Sequence, residues 1–513
     1  MTEIGATGVL RPETAAPLDC DVAVIGSGAG GATAAFELAA AGLDVLILEE
    51  GPFVSAAAAP PAVTESFLTM WRNAGLTATI GRPPVAYAEG RCVGGSTEVN
   101  SAIIQRPPDD LIARWAEDYA IADFSPDALR PHADAVTGAI NASLTDEPLG
   151  RASHIMKEGA AKLGWATTAL ERAQRGCVGT NLCTFGCPTG GKQSMTRSLL
   201  PRAAANGARI LPDCRVTAIR TASRRATAVA AEACTADGRR LKITITARLA
   251  LFVAAGAIHT PALLQRSRMA EPAIGRTLRL HPSVKLLARF AEPVNAFDSR
   301  LPLFAVSQFM PDQRLGGSIL TPALFGLALG EDWQARGALA SEARSVAAYY
   351  AMARAEGTGR IRALPWSRDP FVSYALTRRD WRLLTEGLAR LARVMFAAGA
   401  TRVFPAIAGH PGWTAPGQAL VELESCLSPA RTNLMTIHLF SSCAMGENAR
   451  CGVDSFGRLK GFENVFLADA SVIPEAPGVN PQATVMALAR RTAQAFLAAG
   501  GRQARLHAAR ERM

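Results

Sequence analysis

The chain has 513 residues, of which 49% are hydrophobic and 19% charged, so it is long enough for two packed domains and is not a disordered polymer. Lys and Arg outnumber Asp and Glu by 54 to 44, giving a formal net charge of +10, but the basic residues form no stripe interleaved with aromatic side chains. The composition therefore predicts a globular protein with no nucleic-acid partner.

The N-terminal residues carry no recognisable targeting segment. The stretch MTEIGATGVLRPETAAPLD contains acids and prolines and lacks the basic and then apolar order of a secretory signal. No window offers the roughly 18 uninterrupted apolar residues of a membrane-spanning helix. We therefore predict no transmembrane segment, a cytoplasmic location, and flexible termini at residues 1–18 and 501–513.

The first predicted unit is a strand, turn, helix and strand between residues 21 and 50. Residues 22–25 form an apolar run typical of a buried parallel strand. An alanine-rich helix is predicted from about residue 29 to residue 41, and a second apolar strand at residues 45–48 closes the unit. This order indicates a Rossmann-like α/β domain.

The turn after the first strand carries a nucleotide fingerprint. Gly26, Gly28 and Gly31 satisfy the pattern G-x-G-x-x-G, and Glu49 follows the second strand 18 residues after Gly31. Glycines let the backbone approach a pyrophosphate, the helix N-terminus supplies N–H groups, and the acid accepts a hydrogen bond from a ribose hydroxyl. The pattern predicts dinucleotide binding, and Glu49 disfavours a 2′-phosphate, but these residues leave the choice between NAD and FAD open.

Three further segments resemble the glucose–methanol–choline (GMC) family of flavoenzymes. Residues 90–100, GRCVGGSTEVN, are similar to the family's flavin-contacting loop, and residues 254–261 to its second signature. The stretch from His438 to Ala489 resembles its C-terminal motif. With the N-terminal unit, these motifs follow in order over nearly the whole chain. The resemblance implies FAD as the cofactor and oxidation of an alcohol as the reaction.

The resemblance assigns a further set of residues to the cofactor. The two glycines of the loop form a turn that can press against a planar ring, because glycine lacks a Cβ. Asn100 offers an amide beside that ring, with a turn-capping role as the alternative, and Asp469 lies by resemblance near the ribityl and pyrophosphate region, with a helix N-cap as the alternative. The cofactor-binding residues predicted on this basis are Gly94, Gly95, Ser96, Asn100, Val216 and Asp469.

The C-terminal motif supplies the predicted catalytic pair. His438 stands where the family has its catalytic histidine, and Asn480 stands at the second position, which the family fills with His or Asn. An alcohol donates a hydride only as its proton leaves, so a base must reach its oxygen, and imidazole titrates near the working pH. Asn480 cannot be that base but can donate to the substrate oxygen, while the hydride passes to flavin N5. His259 and His281 are interpreted as structural or flavin-side residues.

Three cysteines within eleven residues form the pattern C-x5-C-x3-C-P at Cys177, Cys183 and Cys187. The spacing matches the ferredoxin run C-x2-C-x2-C-x3-C-P if Thr180 stands for the second cysteine. It also resembles certain bacterial FAD glucose dehydrogenases of the same family, in which this spacing holds a [3Fe-4S] cluster that would pass electrons singly to an external acceptor (a small molecule, a quinone or an electron-transfer protein). The alternatives are no metal, a disulfide, and zinc, which would need a fourth ligand.

These segments predict two interleaved domains. The FAD-binding domain is expected at residues 19–290, with substrate-domain insertions around 100–175, and the chain returns to it at 426–500 with the catalytic pair. Residues 291–425 are expected to form an α+β substrate-binding domain on a mostly antiparallel sheet, including a strand at 369–374 and an amphipathic helix at 383–398. Its aromatic residues fit a core as well as a pocket: Phe304, Phe309, Phe325, Trp333, Tyr349 and Tyr350.

The leading prediction is an FAD-dependent dehydrogenase that converts a primary or secondary alcohol to the aldehyde or ketone. An oxygen-using alcohol oxidase on the same fold and a non-redox lyase with a structural FAD are the alternatives within the family. A nicotinamide-linked reductase and a dinucleotide sensor are alternatives outside it, and the sensor leaves His438 and Asn480 without a purpose. Bleaching of the bound flavin by added alcohol under anaerobic conditions distinguishes the redox from the non-redox alternatives.

Overall fold

The computed structural model describes residues 8–55, 62–145, 149–269, 271–423 and 427–501. Two large sheets organise these residues, one mostly parallel around the nucleotide motif and one mostly antiparallel. Of the predicted flexible termini, residues 1–7 and 502–513 lie outside the described residues, whereas Leu10 donates its backbone N–H to Ile210 at 2.7 Å.

The described residues form strands and α-helices connected by loops, and one of these loops spans residues 441–464. In chain order the strands are β1 (Leu18–Ile25), β2 (Val45–Leu48), β3 (Thr77–Ala78), β4 (Val85–Tyr87), β5 (Ile103–Ile104), β6 (Ala142–Ser143), β7 (Thr167–Ala169), β8 (Glu171–Ala173), β9 (Arg209–Leu211), β10 (Cys214–Ala222), β11 (Arg225–Cys234), β12 (Arg240–Val253), β13 (Arg279–Leu280), β14 (Ser283–Phe290), β15 (Phe304–Val306), β16 (Gln313–Gly317), β17 (Val346–Ala353), β18 (Thr358–Arg362), β19 (Phe371–Ala375), β20 (Ala400–Pro405), β21 (Leu434–Thr436), β22 (Leu439–Phe440) and β23 (Val465–Leu467). The α-helices are α1 (Ala29–Ala40), α2 (Val63–Met70), α3 (Asp109–Asp118), α4 (Pro126–Ala139), α5 (Arg151–Lys162), α6 (Leu199–Ala205), α7 (Gly256–Arg266), α8 (Pro322–Gly330), α9 (Trp333–Arg336), α10 (Arg378–Ala397), α11 (Pro416–Glu422) and α12 (Gln482–Phe496).

The first sheet has the strand order β10-β11-β12-β1-β2-β9, with β23 beside β12. Strands β1, β2, β9, β12 and β23 run parallel, whereas β10 and β11 add an antiparallel edge. Their apolar side chains are buried because helices α1, α6 and α12 cover the parallel part. The carboxyl ends of β1, β12 and β23 therefore meet at one edge, where ligands bind in open parallel sheets.

The second sheet has the strand order β3-β4-β21-β14-β17-β16-β15-β7, with β20 beside β14. Its pairs are antiparallel except that of β4 with β21. Helix α10 packs against β17 and begins at Arg378, five residues before the predicted start, because Thr377 and Asp380 form a capping box. The fold is thus mixed α/β, with a nucleotide-type sheet and an antiparallel sheet with helices, as the sequence predicted.

A short two-stranded connection positions the histidines. Strand β13 pairs antiparallel with β22, in the register Leu280 opposite Leu439. His281 and His438 therefore lie side by side, and the backbone N–H of His281 donates to the carbonyl of His438 at 3.4 Å. Within the described ranges, no helix is both long enough and apolar enough to cross a bilayer.

Candidate active site

A cavity of about 560 Å³ opens at the carboxyl edge of the parallel strands. It collects residues that the sequence placed in separate motifs, from the N-terminal glycine turn to the C-terminal pair. The predicted residues that line it are Gly26, Gly28, Glu49, Gly95, Ser96, Asn100, Val216, His438, Asp469 and Asn480. Two predicted cofactor residues, Gly31 and Gly94, do not line this cavity but support the turns that do.

The three glycines of the fingerprint have different roles. Gly26 has φ +100°, and a Cβ there would overlap the backbone oxygen of Ala254. A Cβ on Gly31 would likewise overlap the backbone oxygen of Gly26. A Cβ on Gly28 would meet only the Cα of Gly95, at 3.9 Å. Gly26 and Gly31 are therefore required for packing, whereas Gly28 borders open space in the cavity, and its predicted contact with a pyrophosphate stays a prediction.

Glu49 is connected to both glycine loops by hydrogen bonds. Its carboxylate accepts from the Ser27 hydroxyl at 2.6 Å, from the Ser27 N–H at 3.1 Å and from the Gly51 N–H at 2.9 Å. The N–H of Gly94 donates to the Ser27 hydroxyl at 2.9 Å. Burial raises the pKa of Glu49, with these hydrogen bonds acting in the opposite direction. Ser27, an unspecified position of the fingerprint, thus joins the acid to the second loop.

Asn100 caps a turn, which was the alternative role predicted for it, and also lines the cavity. Its Oδ1 accepts from the N–H of Ala102 at 2.9 Å, which caps a turn. Its Nδ2 donates to Oε1 of Gln482 at 2.7 Å. The amide therefore connects the loop to the N-terminus of α12, and the predicted contact with a flavin ring stays a prediction.

Asp469 is both an N-cap and a wall of the cavity. Its Oδ1 accepts from the N–H of Ser471 at 2.8 Å, which caps a short 3₁₀ turn. Its Oδ2 accepts from the N–H of Gly256 at 2.9 Å and from the Thr260 hydroxyl at 2.5 Å. Burial raises the pKa of Asp469, while these hydrogen bonds lower it in part. The carboxylate thus fastens the end of β23 to the start of α7 at the edge of the site.

His438 forms a buried pair with His281. The two Nδ1 atoms lie 3.0 Å apart, and the rings meet edge to face at 81°. His438 is 9% exposed. Nε2 of His281 accepts from the backbone N–H of Gly478 at 3.0 Å. The ring of His438 is therefore held through Nδ1, and its Nε2 edge remains for the cavity.

Asn480 and Arg314 complete this group. The Nδ2 of Asn480 lies 3.3 Å from Nε2 of His438. Arg314, which is 2% exposed, donates to Oδ1 of Asn480 at 3.0 Å and also to the side chain of Gln105. Because Arg314 engages the amide oxygen, the NH₂ group of Asn480 faces His438. One small oxygen-containing group in the cavity can therefore contact both His438 and Asn480.

Burial makes both imidazoles neutral. Burial, reinforced by the charge of Arg314, lowers the pKa of His438 to about 3. Burial, reinforced by His438, holds the pKa of His281 well below its usual range. The pair therefore carries two N–H protons at neutral pH.

The neighbours of the pair favour different positions for those protons. The bond from the Gly478 N–H to Nε2 of His281 requires the proton of His281 on Nδ1, which puts the proton of His438 on Nε2, facing the NH₂ group of Asn480. Nε2 of His438 becomes a proton acceptor in the other tautomer, with N–H on Nδ1 of His438 and on Nε2 of His281. That tautomer gives up the bond from Gly478, at a cost of about 1–3 kcal/mol, and lets Nε2 of His438 accept from the NH₂ group of Asn480.

Sequence reasoning missed two residues of this group. His281 was interpreted as structural or flavin-side, although it directly contacts His438. Arg314 was not considered, because it lies in the short segment QRLGG without a motif. Only its buried position in β16 marks it, since a buried arginine needs a partner.

The three clustered cysteines do not form a ligand set. Arg172 donates to Sγ of Cys183 at 3.0 Å and to Sγ of Cys177 at 3.7 Å, while the N–H of Lys192 donates to Sγ of Cys187 at 3.3 Å. The three are free thiols, and no group of three or more His, Cys, Asp or Glu side chains in the described ranges is arranged to hold a metal ion. The predicted iron–sulfur ligation, and the zinc and disulfide alternatives, are therefore not supported. The buried guanidinium of Arg172 instead donates hydrogen bonds to two of the three sulfurs.

The cysteine segment instead braces the predicted flavin loop. Lys192 is buried, and its ammonium donates to the carbonyls of Glu98 at 2.6 Å, Asn100 at 3.2 Å and Cys183 at 2.6 Å. These bonds fix the end of the loop against the cysteine segment. The conformation of the loop beside the cavity thus depends on Lys192, which is far from that loop in the sequence.

Comparisons with known proteins identify the family of this chain. Models of the GMC oxidoreductase family match residues 67–283 and 356–489, and an FAD binding domain model matches residues 21–60. A GMC-type oxidoreductase of Sinorhizobium fredii is 51% identical over 96% of this chain and 98% of its own length. A long-chain-alcohol oxidase of Arabidopsis thaliana is 28% identical over 92% of this chain and 66% of its own length.

A solved structure shares the fold. The crystal structure of pyridoxine 4-oxidase from Mesorbium loti superimposes with a TM-score of 0.68 at 19% identity, over 93% of this chain and 99% of that chain. The identity of half the residues over nearly the whole length in the Sinorhizobium relative establishes the family. This chain belongs to the GMC oxidoreductases and is an FAD-dependent oxidoreductase.

Proposed function

We propose that this chain oxidises a primary or secondary alcohol to the aldehyde or ketone, with His438 as the general base. The observation that carries the proposal is the approach of His438 Nε2 and Asn480 Nδ2 to 3.3 Å in the same cavity as the nucleotide fingerprint. An alcohol oxygen that lies in the cavity beside both atoms can lose its proton to one and accept a hydrogen bond from the other. Bound FAD supplies the hydride acceptor, its N5 atom.

The residues present fit FAD. Gly28 leaves open a space that a Cβ would fill, at the N-terminus of α1, whose backbone N–H groups suit a pyrophosphate. Glu49 offers its buried carboxylate to a ribose, and Val216 lies on the same wall. Gly95 and Ser96 line the same cavity, where their turn would face the flavin ring. Asn100 and Asp469 hold the surrounding loops and complete the set that we assign to the cofactor.

His438 takes the alcohol proton on Nε2. For this step the imidazole pair adopts the tautomer in which Nδ1 of His438 donates to Nδ1 of His281. Asn480, oriented by Arg314, donates to the substrate oxygen and keeps it beside Nε2.

Two candidates for the electron acceptor are an external acceptor and oxygen. The dehydrogenase prediction rested in part on the iron–sulfur cluster, and the arrangement of the thiols gives that step no support. The names of the Arabidopsis relative and of the pyridoxine 4-oxidase favour oxygen as a second candidate. We propose an external electron acceptor, and the proposal gives the cysteines no part in electron transfer.

The test is anaerobic mixing of the flavin-loaded protein with a panel of alcohols. We expect at least one primary or secondary alcohol to bleach the flavin band, with the aldehyde or ketone as product. Reoxidation by oxygen, compared with a soluble quinone, then distinguishes oxidase from dehydrogenase. Failure of every alcohol class to bleach a fully loaded protein would leave the non-redox alternative.

The pH profile gives an independent test. A general base works unprotonated, so its contribution is present above its pKa and is lost as pH falls through it. With the pKa of His438 lowered to about 3, we expect no loss of kcat/KM through this residue between about pH 5 and 8, where an ordinary histidine titrates. Stopped-flow flavin reduction across that range measures this. A fall centred near the ordinary histidine value of about 6.5 would contradict a buried neutral base.

Metal analysis tests the arrangement of the cysteines. Arg172 donates hydrogen bonds to the sulfurs of Cys177 and Cys183. We therefore expect protein purified anaerobically to contain stoichiometric flavin without stoichiometric iron. Iron analysis and the absorbance beyond the flavin bands measure this. Iron in a fixed ratio to flavin that disappears in Cys183→Ser would show that the thiols rearrange around a cluster.

A further inference from the structure

A second cavity, of about 830 Å³, adjoins the first through a common wall. It contains none of the predicted cofactor or catalytic residues. Residues that line both cavities come from β14, the segment after β16, helix α8 and β21, and they are Lys285, Ser318, Ile319, Leu324, Leu327 and Met435. The two spaces are therefore neighbours separated by single side chains.

The antiparallel sheet gives the two cavities one continuous floor. Strands β14 and β17 pair directly, and every second residue of each strand points to the same face. The pair Ser283–Met352 lines the first cavity, and the pair Leu287–Ala348 lines the second cavity. Between them lies the pair Lys285–Tyr350, of which Lys285 lines both cavities. Four residues along a strand cover about 13 Å.

The second cavity is mostly apolar. Leucine, alanine, proline and phenylalanine side chains form most of its wall, and α8 adds a helix with the wholly apolar sequence PALFGLALG. Four charged residues line it: Arg82, Lys285, Glu331 and Arg336. Two of them are engaged with each other, since Arg336 donates to Glu331 at 3.1 Å and also to the carbonyl of Pro405 at 2.7 Å. An apolar wall with paired charges suits an apolar occupant.

The polar end of the floor lies near the imidazole pair. Ser283 follows His281 by two residues, and its strand runs away from the histidines toward Leu287. Lys285 stands at the boundary, and burial lowers its pKa, with Glu331 acting in the opposite direction. A molecule with a hydroxyl at His438 and a long apolar body would therefore extend along this floor into the second cavity.

We infer that the second cavity is the subsite for the aliphatic tail of the substrate, so that the enzyme acts on alcohols with long unbranched chains. The inference rests on the proposed function for the position of the hydroxyl group. The tail displaces the side chains of the common wall and lies over Leu287 and Ala348. Methylene groups beyond the length of the first cavity then add to binding.

The test compares dodecanol with butanol in the flavin-loaded protein. We expect kcat/KM for flavin reduction to be at least about tenfold higher for dodecanol. Ala348→Phe fills the floor of the second cavity and should lower the dodecanol-to-butanol ratio by about tenfold or more. Ala406→Phe, on another wall of the same cavity, serves if the first variant does not fold. Ala340→Phe, the same change at an exposed position outside both cavities, should leave the ratio unchanged.

Direct binding separates this inference from the proposed function. We expect titration calorimetry to show dodecanol binding to the wild type and to Ala340→Phe, and binding at least about tenfold weaker to Ala348→Phe. Binding with this pattern but without bleaching of the flavin would retain the subsite and reject alcohol oxidation. Bleaching by both alcohols with equal kcat/KM, or an equal loss for both in Ala348→Phe, would reject the subsite and retain alcohol oxidation.

Discussion

His438→Ala is expected to lower alcohol-dependent flavin reduction by at least about 10²-fold while FAD stays bound. The imidazole contacts His281 and Asn480 and lies apart from the glycine turn and Glu49, so its loss removes the proton acceptor and leaves the nucleotide contacts intact. Without that acceptor the alcohol oxygen keeps its proton, and hydride donation becomes unfavourable. Anaerobic stopped-flow bleaching at saturating alcohol measures the effect on the flavin step directly.

The controls separate a missing base from a damaged fold. Alanine leaves Nδ1 of His281 without its partner, which costs about 1–3 kcal/mol and does not by itself unfold a protein of this size. Flavin content and the thermal unfolding midpoint of the variant check this. His154→Gln, at an exposed position on α5, should behave as the wild type. Near-normal bleaching of His438→Ala by a good substrate would remove the residue from its assigned role.

The nucleotide unit could be predicted closely because its signals are local. The helix predicted for residues 29–41 is observed as Ala29–Ala40, and the second strand has the predicted bounds of 45–48. The glycine turn and the continuous apolar strands each mark their own boundaries. Helix α10 was predicted to begin too late, because Thr377 and Asp380 cap it from a polar segment that lacks the apolar period.

For the aromatic residues, the sequence alone could not distinguish a position in the core from a position in a pocket. Tyr349 and Tyr350 are adjacent, and both fitted a core or a pocket. In β17 their side chains point to opposite faces, so Tyr349 is fully buried with its hydroxyl on the carbonyl of Ala152 at 3.0 Å, while Tyr350 lines the first cavity. The register of the sheet makes this choice, and register depends on distant strands.

His281 and Arg314, which contact the catalytic pair, could not be predicted from the sequence for a related reason. His281 precedes His438 by 157 residues, and Arg314 precedes Asn480 by 166. Their contacts arise from the pairing of β13 with β22 and from the position of β16, neither of which has a local signature. The cysteine spacing is a local pattern, and it says nothing about the guanidinium of Arg172 beside two of the sulfurs.

Gly28→Ala is expected to fold normally and to lose FAD. The new Cβ meets no protein atom closer than 3.9 Å, and this position lacks the positive φ of Gly26, so the apoprotein has no reason to be destabilised. The methyl group instead enters the space beside the N-terminus of α1 where we place the pyrophosphate. Hydrogen bonds to a charged group contribute about 1.5–3 kcal/mol each. Each one lost then raises the Kd for FAD by about tenfold to 10²-fold.

Three alanine substitutions at other glycines make this result specific. Gly26→Ala and Gly30→Ala place a Cβ onto the backbone oxygens of Ala254 and Ala468, so we expect both to lower the unfolding midpoint of the apoprotein as well as its FAD content. Gly138→Ala, in the open on α4, should bind FAD normally and gain up to about 1 kcal/mol in stability. Fluorescence titration of apoprotein with FAD, beside thermal unfolding without it, gives both quantities for each variant. If Gly28→Ala bound FAD as tightly as Gly138→Ala, the pyrophosphate would have to lie elsewhere, because only a ligand can make a methyl group at this open position costly.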